Sequence, residues 1–458
     1  MTRTLAEWLA YQERVNVRSI ELGLERVRLV WQRMGAPTPA RRVITVGGTN
    51  GKGSTVALLE AMLGSAGLRV GSFTSPHLID YNERVRIDGA PVDDAALIAS
   101  FERIESARLS ANGRAAVEGA LLEGAIFEGA IPLTYFEFGT LAALDLFARA
   151  DEASGGLDVA LLEVGLGGRL DAVNIIDADV AVVTTVDLDH MDWLGSDRDS
   201  IGREKAGIAR AGRPVIVGET DPPAGLLQAL GECGAVMQRA GIDFTAKRLA
   251  ASWHWQHRTG LAMELPHPAL AAPVQLANAA SAIAALYALF ALDASMTSDN
   301  FPSMVSRGLR SVRVPARLQS MGGDPLLIVD VGHNPQAARA LAEWLDAQPD
   351  RRVHAVYGAL ADKDVQGVMA ALGARVHRWH LAGLDGDSPR GLTAPALAAL
   401  LGKTLPQASF TSHADVAGAL AAARAGAGPG ECILAFGSFY VASAILQASQ
   451  DRPLHSTI

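Results

Sequence analysis

The order of segments along this chain predicts an α/β fold: a mostly parallel sheet first, then a second, smaller α/β unit. Three observations carry that prediction. Short, nearly continuous runs of β-branched and aliphatic residues recur through both parts of the chain. Segments with apolar residues at helical spacing lie between them. A turn rich in glycine joins the first such run to the first such helix. Continuous apolar runs are expected of parallel strands covered on both faces, because neither face alternates with water.

Taken in order, RRVITV (41–46) reads as the first strand, and STVALLEAMLGSAG (54–67) as the helix that follows, closed by glycine. LRVGSFT (68–74), LDVALLEV (157–164), ADVAVVTTV (178–186) and PVIVGE (214–219) read as further strands. An alanine-rich helix (276–292) precedes the polar stretch DASMTSDNF, and we place a domain boundary near residue 297. Beyond it LLIVDV (326–331), RRVHAVYGA (351–359) and ECILAFGS (431–438) repeat the strand pattern. The domains expected are therefore 1–296 and 297–458, the second a comfortable size for one core. Residues 117–131, VEGALLEGAIFEGAI, repeat E-G-A every five residues, which fits neither period, and read as a surface insertion or a lid.

The chain has 458 residues, 49% hydrophobic and 19% charged, with net charge −9. An acidic surface has no general attraction for nucleic acid or anionic lipid, so an anionic ligand must be held by local positive groups. The first residues carry charges throughout and lack the apolar core of a secretory signal. No apolar run reaches the roughly 18–20 residues that span a bilayer. Two cysteines, Cys233 and Cys432, have no metal-like spacing and read as small packed residues in a reducing cytoplasm.

Gly47–Thr55, GGTNGKGST, carries the chemistry. A strand entering a helix through glycines presents backbone N–H groups and a positive helix end to phosphate, and Lys52 adds charge. The first domain is thus of P-loop type. The usual phosphate loop has glycine five positions before Gly51, where this chain has Val46. It also has Ser or Thr directly after the lysine, where this chain has Gly53.

That departure is itself a pattern. G-T-N-G-K-G-S-T resembles the nucleotide loop of the folate branch of the Mur ligase superfamily, the bifunctional dihydrofolate synthase/folylpolyglutamate synthase family. FTSPHLIDYNERVRIDG (73–89), LTYFEFGTLAAL (133–144), LLEVGLGGRLDAVNI (161–175), LDHMDWLG (188–195), REKAGI (203–208) and VDVGHNPQAARAL (329–341) resemble further motifs of that family, in the same order. The resemblance covers nearly the whole chain apart from 117–131.

It implies a Rossmann-like C-terminal domain that carries the glutamate-ligase function. It also implies ATP contacts from Thr49, Asn50, Gly51, Lys52, Gly53, Ser54 and Thr55, with Asn278, Arg317, Asp330 and His333 completing the nucleotide site between the domains. Ser75, Glu163 and His190 take a Mg²⁺ role, and Lys205, carbamylated by CO₂, holds a second Mg²⁺. A monovalent cation is a further cofactor of the family. Lys52, His190 and Lys205 form the catalytic set. Leu22, Gly23, Leu24, Glu25, Thr134, Tyr135, Phe136, Glu137 and Asp171 line the pterin pocket, where two aromatics sandwich the heterocycle and a carboxylate meets its amino-pyrimidine edge. Ser438 helps to seat the incoming glutamate.

Read by themselves, several of these residues have plainer roles. Glu163 and His190 also fit caps or core positions, Lys205 an ion pair with Glu204, Asp330 and Ser438 turns, and Tyr135 and Phe136 core aromatics beginning a helix. The chain has VRVPARLQ where the family commonly has P-G-R-F-Q, so Ala316 and Leu318 flank Arg317 in place of Gly and Phe.

The implied reaction is ATP-dependent addition of L-glutamate to dihydropteroate and to the γ-carboxylate of folates through an acyl phosphate. The expected protein is a cytoplasmic monomer that binds neither nucleic acid nor membrane. A peptidoglycan-type Mur ligase and a non-enzymatic nucleotide switch are the competing readings. The Thr134–Glu137 loop opposes the first, and Glu163, His190 and Lys205 together oppose the second.

Overall fold

The computed structural model describes residues 3–16, 20–109, 130–150, 155–296 and 300–450; most of the 117–131 segment lies outside them. The chain divides into two units. The first comprises Met1–His77, Tyr81–His267 and Ala277–Ser311, and the second Leu78–Asp80, Pro268–Leu276 and Val312–Ile458. The expected break was near residue 297, yet the helix Phe301–Ser311 stays with the first unit. Gly308 lets it lie against the helix Lys52–Ser65: a Cβ there would stand 2.6 Å from Met62 Cα.

The first unit holds an eight-stranded sheet. Its strands are β1 (Arg42–Gly47), β2 (Val70–Phe73), β3 (Val85–Ile87), β4 (Ala90–Pro91), β5 (Val159–Glu163), β6 (Val180–Val183), β7 (Pro214–Val217) and β8 (Val236–Arg239). They lie in the order β4-β3-β2-β5-β1-β6-β7-β8. Pairing is parallel from β2 to β8 and antiparallel at the β2–β3–β4 edge. Strands β5, β6 and β7 are buried along their whole length, as their continuous apolar runs predict. Because β1 lies between β5 and β6, with Val46 opposite Glu163 and Gly47 opposite Val183, the loops leaving all three strands emerge side by side at their carboxyl ends. Ligands of open α/β sheets collect at such a place.

Three short antiparallel strands, β9 (Phe244–Arg248), β10 (Trp253–His257) and β11 (Ala262–Leu265), form a second sheet in this unit. Trp255 points inward from β10 and its indole N–H donates to Ala280 O at 3.2 Å, which fixes this sheet on the helix Gln275–Leu292. By length and composition that 18-residue helix could cross a membrane, contrary to the sequence reading. However, 72% of it is buried, which marks a core helix.

The second unit carries six strands: β12 (Gln319–Gly322), β13 (Leu326–Val329), β14 (Val353–Tyr357), β15 (Arg378–Ala382), β16 (Phe410–His413) and β17 (Cys432–Phe436). Their order is β12-β13-β17-β14-β15-β16, parallel apart from the β12 edge. A row of imidazoles runs across this sheet. His354 Nδ1 is hydrogen-bonded to His380 Nε2 at 3.1 Å, and His354 Nε2 to Glu431 Oε2 at 3.2 Å. His380 Nδ1 meets Thr411 Oγ1 at 3.0 Å, and Thr411 Oγ1 meets His413 Nε2 at 2.8 Å. Burial, and for His380 the neighbouring imidazoles, holds both central rings below the ordinary value, His380 at about 4.

Candidate active site

The glycine loop is shaped by contacts that only glycine allows. Gly48 has φ +145° and a Cβ there would lie 1.9 Å from Thr184 Oγ1. Gly51, in the left-handed region at φ +88°, precedes the helix Lys52–Ser65, and its Cβ would meet Asn278 Oδ1 at 2.5 Å. The loop is pinned to the chain beyond β6: Thr49 N donates to Thr185 O at 2.8 Å, Thr49 Oγ1 to Asp187 O at 3.1 Å, and Asn50 N to Thr185 Oγ1 at 3.1 Å. Lys52 folds back over the loop and donates from Nζ to Gly48 O at 3.0 Å and Thr49 O at 3.3 Å. Ser54 and Thr55 are buried in the first helical turn, and the Thr55 hydroxyl makes no hydrogen bond.

Glu163 ends β5, is 4% exposed and accepts a hydrogen bond from Ser75 N at 3.2 Å. Its carboxylate faces the loop: a Cβ on Gly53 would stand 3.5 Å from Oε2. His190 has φ 52°, a conformation that side chains rarely adopt, and its backbone N–H donates to Asp189 Oδ1 at 2.9 Å. Lys205 is buried in the helix Arg198–Ala206, and its amine makes no hydrogen bond or ion pair among the described residues. The Glu204 pairing is absent, because Glu204 pairs with Arg169 at 2.8 Å. Burial, reinforced by the Lys52 charge and opposed by Asp189, Asp171 and Glu219, brings the Lys205 amine down to about 7. Much of it is therefore neutral at neutral pH.

Among the described residues, no three His, Cys, Asp or Glu converge as a metal cage. Mg²⁺ ordinarily uses one or two carboxylates and shares its remaining oxygens with substrate phosphates. A single buried carboxylate facing a phosphate loop, with a hydroxyl and an imidazole on adjoining loops, fits that pattern.

The aromatic loop is a helix start. Thr134 and Glu137 form a reciprocal capping box: Glu137 N donates to Thr134 Oγ1 at 3.2 Å, and Thr134 N to Glu137 Oε2 at 2.7 Å. The other Glu137 oxygen pairs with Arg26 at 2.9 Å. Each oxygen of this carboxylate thus has a partner within the protein. Burial raises its pKa, and the Thr134 N–H and Arg26 oppose that rise. Phe136 fills the space a Cβ on Gly165 would need, and Tyr135 stands edge-on to Tyr81. The stretch Leu22–Glu25 lies beside the 165–171 loop, with Gly23 N donating to Leu170 O at 3.3 Å. Asp171 accepts from Leu166 N and Val173 N at 2.8 and 3.1 Å; burial raises it to about 6 against those bonds.

In the second unit, Ala316 (φ 53°) and Leu318 (φ 45°) are both left-handed and flank Arg317. A glycine would adopt the first of these without strain. Asp330 braces the turn, accepting from Leu318 N at 2.8 Å and Gly332 N at 2.6 Å. His333 Nδ1 meets Val331 O at 2.9 Å. The Ser438 hydroxyl accepts from Val441 N at 3.1 Å at the start of the helix Phe439–Gln450, which makes it a helix cap.

Sequence reasoning overlooked Arg26, Arg84, Thr184, Thr185, Asp189 and Glu219. The T-x-x-E spacing at 134–137 is a capping signature and was the available signal for Glu137. No sequence pattern marks Arg26 as its partner.

Residues 316–439 match the family model of the Mur ligase glutamate ligase domain. The chain is 44% identical over 449 residues to dihydrofolate synthase/folylpolyglutamate synthase of Escherichia coli (strain K12), covering 98% of this chain and 96% of that protein. E. coli FolC in complex with DHPP and ADP matches with a TM-score of 0.86 and 43% identity, over 98% of each chain. A bifunctional folylpolyglutamate synthase/dihydrofolate synthase with Mn, AMPPNP and L-glutamate bound matches with a TM-score of 0.83 and 42% identity, again over 98% of each. A glycine-loop α/β unit joined to a glutamate-ligase domain defines a Mur-type ligase. Within that class, the chain belongs to the dihydrofolate synthase/folylpolyglutamate synthase family.

Proposed function

We propose that this chain is an ATP-dependent carboxylate–amine ligase. It adds L-glutamate to dihydropteroate, giving dihydrofolate, and to the γ-carboxylate of folates. The observation that carries this reading is the gathering of the Gly51–Lys52 loop, Glu163 and the buried Lys205 around the carboxyl ends of β1, β5 and β6.

Amide formation from a carboxylate and an amine is uphill in water, so the acid must first be activated. A carboxylate oxygen of the substrate attacks the γ-phosphorus of ATP, the bond to the bridging oxygen breaks, and ADP leaves. The amine of glutamate then attacks the acyl carbon of the resulting acyl phosphate. The tetrahedral adduct releases phosphate and a proton as the amide forms. The protein's work is placement and charge neutralisation. The loop 49–55 binds the phosphates through its N–H groups and the helix start, and Lys52 holds its positive charge against them. Ser75, Glu163 and His190 would hold one Mg²⁺ and carbamylated Lys205 a second, and ions bound there would supply further neutralisation where carboxylate meets triphosphate. The carbamate forms when the neutral Lys205 amine adds to CO₂ and loses a proton, which an amine titrating near 7 makes feasible. A monovalent cation would complete the set.

Asn278, Arg317, Asp330 and His333 are further nucleotide contacts. Leu22–Glu25, Thr134–Glu137 and Asp171 shape the pterin pocket, with Glu137 acting through the cap it makes. Ser438 shapes the glutamate seat through the helix it starts. We assign the phosphate loop and the pterin pocket to the first unit, and the glutamate seat together with Arg317, Asp330 and His333 to the second. The free thiols of Cys233 and Cys432 and the acidic surface support a cytoplasmic monomer.

A mass-resolved product assay tests the reading. The protein is given ATP, Mg²⁺ and glutamate, with dihydropteroate in one tube and tetrahydrofolate in another. Both acids should gain one glutamate. A gain in one tube alone would reduce the protein to one activity, and no gain in either would remove the proposal.

A further inference from the structure

Three arginines of the first unit are almost fully buried: Arg26, Arg84 and Arg108. Two of them are ion-paired within the protein, although Arg26 Nε has no hydrogen-bond partner. Arg26 pairs with Glu21 and Glu137, and Arg108 with Glu105 and the carbonyl of Ile131. Arg84, 8% exposed, is different. Its Nε donates to His77 Nδ1 at 2.8 Å. Among the described residues no carboxylate pairs with it, and its two terminal nitrogens donate no hydrogen bond. The guanidinium carbon lies 5.2 Å from the Tyr81 ring centre and 5.4 Å from that of Tyr135. Ring faces steady a cation but do not satisfy its N–H groups. Neither terminal nitrogen is among the buried atoms left without a partner, so the fork of an otherwise buried guanidinium opens to solvent beside two aromatic rings, where an anion from outside the chain can reach it.

Its neighbours say which anion. His77 lies two residues after Ser75, whose N–H is bonded to Glu163 at the phosphate end of the sheet. Tyr135 opens the helix whose cap is the Thr134–Glu137 loop. Arg84 therefore bridges the segment that serves the phosphates and the loop that serves the heterocycle. An acid whose heterocycle occupies that loop, and whose carboxylate must reach ATP, brings its negative end into this interval.

We propose that Arg84 binds the carboxylate nearest the aminobenzoyl ring of the acid substrate. In dihydropteroate this is the sole carboxylate; in a folylglutamate it is the α-carboxylate, which leaves the γ-carboxylate free to react. The planar fork of the guanidinium suits two parallel N–H···O bonds to one carboxylate. His77 and the two tyrosines orient the fork. This inference rests on the folate-ligase reading above, and Arg84 is a substrate-binding residue within it.

The test is equilibrium binding of dihydropteroate and of its neutral methyl ester, by fluorescence titration, to the wild-type chain and to Arg84→Gln and Arg84→Lys. Wild type should prefer the acid to the ester. Arg84→Gln should lose about 10–100-fold in affinity for the acid, as expected when a charge-assisted hydrogen bond is removed, and bind acid and ester alike. Arg84→Lys should keep part of the preference, and binding of a non-hydrolysable ATP analogue should be unchanged in both variants. In turnover assays KM for dihydropteroate and for tetrahydrofolate should rise while KM for ATP holds. An unchanged acid-to-ester ratio in both variants would overturn the assignment while leaving the ligase reading intact. If Arg84→Gln does not fold, the ratio in Arg84→Lys decides alone. A wild-type protein that binds neither compound would remove the ligase reading and this inference with it.

Discussion

Lys205 in the first unit and His380 in the second are both buried, and both titrate well below their ordinary values for the same first reason, loss of water. Their surroundings differ. Both ring nitrogens of His380 are hydrogen-bonded, one to His354 and one to Thr411, and the row ends on a carboxylate. Lys205 makes no such bond among the described residues. It lies where the electrostatics of Lys52, Asp189, Asp171 and Glu219 reach it. A shifted pKa therefore does not separate a site from a core. The separation comes from whether the group's bonding capacity is already used by the protein.

The largest expected effect tests the open side of that contrast. Lys205→Ala should lower turnover by roughly a thousand-fold, in the range for losing an electrostatic group at the reacting centre, while ATP binding persists. Wild-type turnover would place Lys205 with the histidines as buried structure. In the wild type, activity that needs the neutral amine should fall as pH drops below about 7. Added bicarbonate should shift that limb, read from initial rates.

Gly51→Ala comes next. A side chain there would face both φ +88° and Asn278 Oδ1 at 2.5 Å. Strain of about 1–3 kcal/mol should appear as weaker nucleotide binding, measured by calorimetry. Retained affinity would show that the loop reshapes freely.

The closed side of the contrast is tested by acid. His380 in the fold titrates at about 4 against 6.5 for the free side chain, and His354 is also lowered. Between those values the unfolded chain binds more protons than the folded one. Their contribution is thus full above pH 6.5 and is lost as pH falls towards 4, so hydrogen exchange in β14 and β15 should quicken over that window. An NMR midpoint near 6.5 for His380 would break the comparison.

The smallest effect is at Ala316, left-handed without being glycine. Ala316→Gly should stabilise the second unit by about 1 kcal/mol, seen as a higher melting temperature.

The fold was legible where burial on both faces wrote itself into unbroken apolar runs, as in β1, β5, β6, β7, β13, β14 and β17. It was not legible in β9 to β11, whose FTAKR, WHWQH and AMEL are short and mixed, and are held by Trp255 reaching a distant helix. The phosphate loop was legible because glycine and lysine are needed locally. The partnership of Glu137 with Arg26 was not, because 111 residues separate them and neither is unusual alone. That Arg84 pairs with no carboxylate was invisible for the same reason, since lacking an ion partner is a property of the folded neighbourhood.

The imidazole row has one more consequence. With Glu431 ionised, His354 must give its Nε2 proton to that carboxylate, which leaves Nδ1 to accept from His380. His380 must then accept from the Thr411 hydroxyl, and Thr411 from His413. A proton placed on His354 Nδ1 forces each later bond to turn round, so that His380 donates to Thr411 and Thr411 to His413. The direction of bonding at the β16 edge of the sheet is thus dictated by a proton on His354 of β14, and the row has two orientations.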